Sequence, residues 1–283
     1  MNTLKKYIFR KGLVSGFSCN PFTVVSNEIT KFITLTSTSV LASWSPTSVV
    51  NTGATLDWTV SGGLTIAETT IDDPTFDFST NSGTANVLVK NVDALTTFNI
   101  NSLNIVTLDV SESTSLNTLY CYINSITTLN LGTITSLTSL LCNDNSLTTL
   151  DVSNNTGLTL LWCHNNSGMT TLNLGTITTL QTILCYNNSL TSLNVANITD
   201  LTALRCNDNS LSTLDVSNNI SLNFLSCYHN SFSSTVTNQI LADLVTNGVT
   251  NGNLNYRNNE TGQGVTDRAT LVTRGWTIVN YAT

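Results

Sequence analysis

The chain has 283 residues, a formal charge of −7 and 10% charged residues, against about 25% in soluble proteins generally, yet 40% of it is hydrophobic. Its polarity therefore comes from Thr, Ser and Asn. This excludes a nucleic-acid binder, which needs a basic footprint against phosphate, a coiled coil, which is rich in Ala, Glu, Lys and Arg, and a disordered acidic chain, which is poor in Leu, Ile and Val.

Residues 1–31 are read as an extended N-terminal docking arm. They hold Lys5, Lys6, Arg10, Lys11 and Lys31 against Glu28, a local +4, and the rest of the chain carries −11. A basic end on an acidic body either docks onto an anionic partner or is an ordinary solvated terminus. Lys5, Lys6, Arg10 and Lys11 are the anchoring candidates. A secretory signal needs about 7–15 uninterrupted apolar residues. Here Arg10 and Lys11 cut the stretch to Tyr7-Ile8-Phe9, and Phe17-Ser18 before Cys19 lack the small residues of a lipoprotein site. No run reaches the ~18–20 apolar residues of a membrane span. The expectation is a chain without signal peptide or membrane insertion.

Residues 32–92 do not repeat. Short alternating stretches at 40–44, 55–60, 64–66, 75–78 and 86–89 are strand candidates. Gly62-Gly63, Asp73-Pro74 and Asn81-Ser82-Gly83 supply turns between them. A small β-sandwich-like domain is expected here.

Residues 93–236 are dominated by internal repetition. Cys121, Cys142, Cys163, Cys185, Cys206 and Cys227 are spaced 21, 21, 22, 21 and 21 apart. The single 22 has a visible cause, because Gly168 reads as a one-residue insertion before Met169. Each unit reads L-x-x-L-x-C-x-x-N-x-L-x-x-L-[DN]-[VL], and units begin at Leu95, Leu116, Leu137, Leu158, Leu180, Leu201 and Leu222. The first has Ile100 for Cys and Leu103 for Asn, and the last trails off after Phe232. Atypical end units suit a stacked repeat whose ends must be capped. L-x-C and L-[DN]-[VL] each alternate like a strand, and too few residues separate them for a helix. Two short strands per rung, each rung advancing roughly 4.8 Å, make a rod of about 34 Å.

On these residues the chain resembles leucine-rich-repeat proteins of the 21-residue bacterial type with nested half-repeats. The resemblance covers about 95–236 and implies a parallel β-solenoid that binds macromolecules or surfaces and is usually not catalytic. Cys replaces the commoner Leu or Asn of such repeats. Residues 237–283 form a C-terminal cap. Ile240, Leu241 and Leu244 have helical spacing, as do Ala269, Leu271 and Val272, and a strand is expected at 276–279. The segment 240–278 is similar to caps of bacteriophage tail-fibre and virion-surface proteins, and of some bacterial surface proteins. Its physical task is to cover the last open rung. The fold expected overall is mainly β: a solenoid after a small sandwich-like domain, with short helices in the cap.

The cysteines form one file up the rod. Zinc needs four converging ligands, and neighbouring Cys in register have parallel Cβ vectors, which suit a disulfide badly. A buried file of free thiols acting as small hydrophobes is expected, with no metal and no cofactor. The file Asn124, Asn145, Asn166, Asn188, Asn209 and Asn230 should turn inward and satisfy backbone groups at the bend.

Function should then lie on outward strand positions. One file is Tyr120, Leu141, Trp162, Leu184, Arg205 and Ser226, and the next is Tyr122, Asn143, His164, Tyr186, Asn207 and Tyr228. Tyr120, Tyr122, Trp162, His164, Tyr186, Arg205 and Tyr228 are the binding candidates, as an exposed strand face for a host-surface glycan or protein. The same aromatics could simply stack along the rungs. The opposite file is Thr128, Thr149, Thr171, Ser192 and Thr213, beside Asp109, Asn130, Asp151, Asn173, Asn194 and Asp215. Its interleaved Asp prefers bulk water, which argues against an ice-binding surface. Asp144 and Asp208 lie three rungs apart, roughly 14 Å by the strand spacing, too far for the paired carboxylates of a glycosidase. No enzyme is expected. The resulting reading is a non-catalytic bacteriophage virion surface protein, a spike or fibre subunit. Its N-terminal region would contact other virion proteins, and its repeat would face the host. The alternatives are a bacterial cell-surface adhesin and a structural capsid decoration protein. A homo-oligomer is left open.

Overall fold

A computed structural model describes residues 32–37, 48–51, 57–61, 67–69, 85–90, 92–257 and 259–281. The arm, with Lys5, Lys6, Arg10 and Lys11, and the strand candidates at 40–44, 64–66 and 75–78 lie outside the described residues. Ahead of the repeats run β1 (Phe32–Ser37), β2 (Ser48–Asn51), β3 (Asp57–Ser61), β4 (Ala67–Thr69) and β5 (Ala85–Lys90). Of these, β3 and β5 overlap the expected strands at 55–60 and 86–89, while β1 and β2 were not anticipated. A 3-10 turn, Val92–Ala94, leads into the first rung, β6 (Leu95–Asn99) and β7 (Ile105–Asp109). The next rungs supply β8 (Thr118–Tyr120), β9 (Thr128–Asn130), β10 (Ser139–Leu141), β11 (Thr149–Asp151), β12 (Leu160–Trp162) and β13 (Thr171–Asn173). Then come β14 (Thr182–Leu184), β15 (Ala203–Arg205) and β16 (Phe224–Ser226). The cap is α1 (Ser234–Asn247), β17 (Asn253–Arg257), α2 (Gln263–Thr273) and β18 (Thr277–Tyr281).

The first strands of the rungs stack in register into a ten-stranded sheet, β18-β17-β16-β15-β14-β12-β10-β8-β6-β2. Every pair in it is parallel except β2 on β6. The second strands pair separately, β7 with β9 and β11 with β13, both parallel. Leu193 and Leu214 of later rungs stay buried at equivalent positions although their segments are not strands. The alternation puts Leu119, Leu140, Leu161, Ile183, Leu204 and Leu225, with the six Cys, into one continuous core. Each such Leu contributes roughly 1.5–3 kcal/mol of burial. This is the expected parallel β-solenoid.

Both sheets are closed at the N-terminal end by antiparallel strands, β1 on β7 and β2 on β6. Beyond β1 the order is β5, β3 and β4. The described strands of 32–92 therefore divide between the solenoid's own two sheets and cover edges that would otherwise recruit another chain.

The Asn file does what its spacing suggests. Asn145 donates from Nδ2 to the carbonyls of Cys121 and Cys142 at 3.0 and 3.1 Å and accepts from the Ile126 N–H at 2.9 Å. Asn209 and Asn230 repeat the pattern three and four rungs on. One buried amide thus stitches adjacent rungs where the chain turns and the sheet ladder cannot reach. The 22-residue rung shows the cost of insertion. Gly168 is exposed, and Met169 recovers the buried position of Leu147 and Leu190. Asn188 Oδ1 accepts instead from the Asn166 N–H at 2.7 Å.

A second file turns the chain after each Cys. Ile123, Asp144, Asn165, Asn187, Asp208 and His229 all have φ between 48° and 56°. Asn, Asp and His tolerate this left-handed region best among residues other than Gly. Ile123 is the β-branched exception and is 54% exposed.

At the C-terminal end, α1 begins at Ser233, which accepts from the Val236 N–H, and stops at Gly248, where φ is 76°. Ile240, Leu241 and Leu244 are buried, as their spacing predicted. The strand expected at 276–279 is β18, one residue later at its start. β17 was missed, though Leu254 and Tyr256 alternate in it and are both buried. Leu254 pairs with Leu225, so the cap continues the solenoid sheet by two strands.

Candidate functional site

The first expected file lies on the outward side of the ten-stranded sheet, and the second lies two residues on, just past the strand ends. Asn99, Tyr120, Leu141, Trp162, Leu184, Arg205 and Ser226 are in register by strand pairing. Of the seven binding candidates, only Arg205 is exposed. Tyr120, Tyr122, Trp162, Tyr186 and Tyr228 are half-buried, and His164 is buried at 8% exposure. The expectation of an exposed face is corrected for His164. Rungs one strand apart bring flat rings into contact, and each covers its neighbour.

The His164 and Tyr186 rings are stacked, with centroids 4.3 Å apart and planes 8° apart. The Trp162 ring lies 6.4 Å from His164. At the C-terminal end Tyr228 stacks on Tyr281 at 3.8 Å. Tyr281 was not foreseen, because it joins the file only once β18 is in the sheet. Arg205 lies over the Phe224 ring at 4.8 Å. Burial holds the His164 imidazole below its ordinary pKa; Asp144 and the Asn165 side chain pull the other way, and Arg205 adds to the depression. His164 is therefore neutral at pH 7.

The left-handed file forms the rim of this face. Asn165 donates to Asp144 Oδ1 at 2.7 Å, and Asn187 donates to Asn165 Oδ1 at 2.8 Å. His229 Nδ1 lies 2.7 Å from Asp208 Oδ1. The recurrence of Asx or His two residues after every Cys of the file but Cys121 was the sequence signal for this rim.

Two rungs carry the same motif, Cys-Asn-Asp-Asn-Ser-Leu, at 142–147 and 206–211. In both, the Asn after Cys donates to the following Asp at 2.6 Å, Asn143 to Asp144 and Asn207 to Asp208. They differ in the next rung. Asn207 Oδ1 accepts from the Ser226 hydroxyl at 3.0 Å. Trp162 holds the place of Ser226 beside Asn143. Asn143 Oδ1, Trp162 Nε1 and His164 Nδ1 are buried without a hydrogen-bond partner among the described residues.

The opposite file is built differently. Asp109 and Asp151 each accept from the Asn of the next rung, Asn130 at 2.9 Å and Asn173 at 3.0 Å. Their other oxygens accept from the N–H of Ser111 and Ser153. These carboxylates and amides hold turns. The six thiols are free and buried. Burial pushes Cys142, Cys185 and Cys227 up to about 12, and Cys121, Cys163 and Cys206 are raised too. Protonated thiols are neither nucleophiles nor metal ligands. No group of three or more His, Cys, Asp or Glu able to hold a metal is found among the described residues, and no helix there is long and apolar enough to cross a membrane.

These features define a class, a leucine-rich parallel β-solenoid with an inward Cys file, an inward Asn file and one aromatic sheet face. No protein-family model and no curated protein matches the sequence. Among solved structures, the chain is similar to the functional domain of InlJ from Listeria monocytogenes, which includes a cysteine ladder. The identity is 27% and the TM-score 0.45, over 65% of this chain and 49% of that one. A leucine-rich-repeat protein of Leptospira interrogans is 18% identical with a TM-score of 0.45, over 68% of this chain and 56% of that one. The internalin InlF from Listeria monocytogenes is 18% identical with a TM-score of 0.43, over 68% and 63%. The chain thus spans from about half to just under two thirds of these proteins' lengths.

Proposed function

We propose that this chain is a non-catalytic adhesion or protein-interaction molecule that binds a macromolecule through the aromatic face of its ten-stranded sheet. The observation that carries this is the placing of Tyr120 and Trp162 on the outward side of a stiff parallel sheet, with Tyr122, Tyr186 and Tyr228 just past its strand ends, all half-buried. Rigid aromatics give contact area at low entropic cost. Arg205 is the exposed cation beside them. No cofactor enters this reading. Replacing Tyr122, Trp162 and Tyr186 together by Ala should abolish attachment to target cells while the circular dichroism of the fold persists. Unchanged attachment would sink the proposal.

For the carrier we favour a bacterial cell surface over a bacteriophage particle. The virion reading leaned on the expected lack of a signal peptide, the thiol file and the composition as well as on the cap. Its helices and strands are explained by closing the last rung, a need shared by every solenoid of this kind. The basic arm, with Lys5, Lys6, Arg10 and Lys11, keeps its anchoring role in either setting. Immunogold labelling of intact cells and of phage particles separates the two, and label confined to particles would return the virion reading.

A further inference from the structure

We propose that Asn143, Trp162 and His164, flanked by Tyr186, form a subsite for an uncharged saccharide. The inference rests on the reading of this face as the binding surface and names the ligand class.

The first ground is hydrogen bonding. Asn143 and His164 are 7% and 8% exposed, yet Asn143 Oδ1 and His164 Nδ1 lack a hydrogen-bond partner among the described residues, as does the buried Trp162 Nε1. The chain itself shows how the same position is satisfied when no ligand is needed, since Ser226 closes the amide of Asn207. Trp162 gives up that bond and leaves an acceptor, a donor and a ring nitrogen of either role on two adjacent rungs. A buried polar group without a partner carries a desolvation cost, and a ligand that pairs it, once the half-buried Trp162 and Tyr186 rings shift, recovers that cost as affinity. A sugar hydroxyl both donates and accepts, so it can serve all three.

The second ground is charge. Asn143, Trp162, neutral His164 and Tyr186 present amide, indole, imidazole and phenol rather than ions. The nearby carboxylate of Asp144 is already engaged by Asn143 and Asn165. The exposed cation Arg205 sits one rung beyond Tyr186 and over the Phe224 ring rather than at the centre, so the polar groups of the subsite itself are uncharged and match the hydroxyls of an uncharged sugar.

The test uses the full chain on a printed array of uncharged and acidic oligosaccharides, with the variant Trp162→Ser. That change copies the rung of Ser226, so the fold has a precedent for it, and thermal unfolding checks that it is retained. Thr171→Ala, on the opposite face, is the control. Binding confined to uncharged oligosaccharides, weakened about tenfold or more in Trp162→Ser and unchanged in Thr171→Ala, is expected. No bound oligosaccharide, or equal binding by Trp162→Ser, overturns the proposal. Cell attachment after periodate oxidation of surface glycans distinguishes the two levels. Attachment that survives periodate but is lost in the triple Ala variant removes the saccharide and leaves the binding face. Attachment indifferent to both removes both.

Discussion

Asn247, the last residue of α1, donates its side-chain amide to the Val216 carbonyl at 3.0 Å and to the Asn219 carbonyl at 3.3 Å. One rung earlier Asn219 does the same for Val195 and Ile198, at 3.0 and 2.7 Å. The helix therefore caps the solenoid by supplying the amide that a further rung would have supplied. Asn247→Ala leaves two carbonyls without that donor and should cost about 1–3 kcal/mol. Hydrogen exchange should quicken locally in α1 and around 216–219, and chemical denaturation gives the magnitude.

Inside the stack the same chemistry has more at stake. Asn166 is fully buried, donates to the Cys142 and Cys163 carbonyls at 3.2 and 3.0 Å, and accepts from the Leu147 N–H at 3.0 Å. Asn166→Leu is close in volume but strands several backbone groups in the core. A loss of about 3 kcal/mol or more is expected, larger than for Asn247→Ala in the same urea titration.

Ile123 offers the opposite sign. A β-branched residue at φ 52° is strained, and its exposed side chain gives up little packing when replaced. Ile123→Asn matches the Asn and Asp of the same file and should stabilise the protein by about 1 kcal/mol. A rise in Tm checks it.

The thiol file makes stability depend on alkaline pH. Cys142, Cys185 and Cys227 titrate near 12 when folded, against 9.0 for a free thiol. Above about pH 9 the unfolded chain loses protons that the folded chain keeps. The thiols' contribution is thus fully present below pH 9 and lost as pH rises toward 12. Each such thiol should lower the folding constant about tenfold per pH unit in that window. Denaturation at pH 8 and pH 10.5 checks this, and Cys142→Ala should flatten the slope by one thiol's share. A thiol reagent should stay unreactive with the native file and react after unfolding.

The repeat was legible because its period is written in identical residues. Leu, Cys and Asn recur at fixed distance, and each has one physical role at its position, so inward files and turn bonds follow from spacing alone. The cap helices were legible from the spacing of Ile240, Leu241 and Leu244. β17 was not, because Leu254 and Tyr256 are too few to stand out until they pair with β16. β1 and β2 were missed for a related reason, since their partners lie 68–75 and 44–51 residues away in β7 and β6.

The binding face was half legible. Spacing names which side chains leave the core, and Tyr120, Tyr122, Trp162, Tyr186, Arg205 and Tyr228 follow from it. Spacing does not say how far neighbours cover one another. That His164 is buried against Tyr186, that Tyr281 joins Tyr228, and that Ser226 satisfies Asn207 while Trp162 leaves Asn143 open are facts about side chains one or more rungs apart.

The sequence by itself determined the charge-poor composition, the 21-residue rung and the direction of each repeated side chain, because alternation and period are local properties of the chain. Only the tertiary structure decided which polar atoms of the face are paired and how the two ends are closed. Those depend on contacts between residues that nothing but the stacking of rungs brings together.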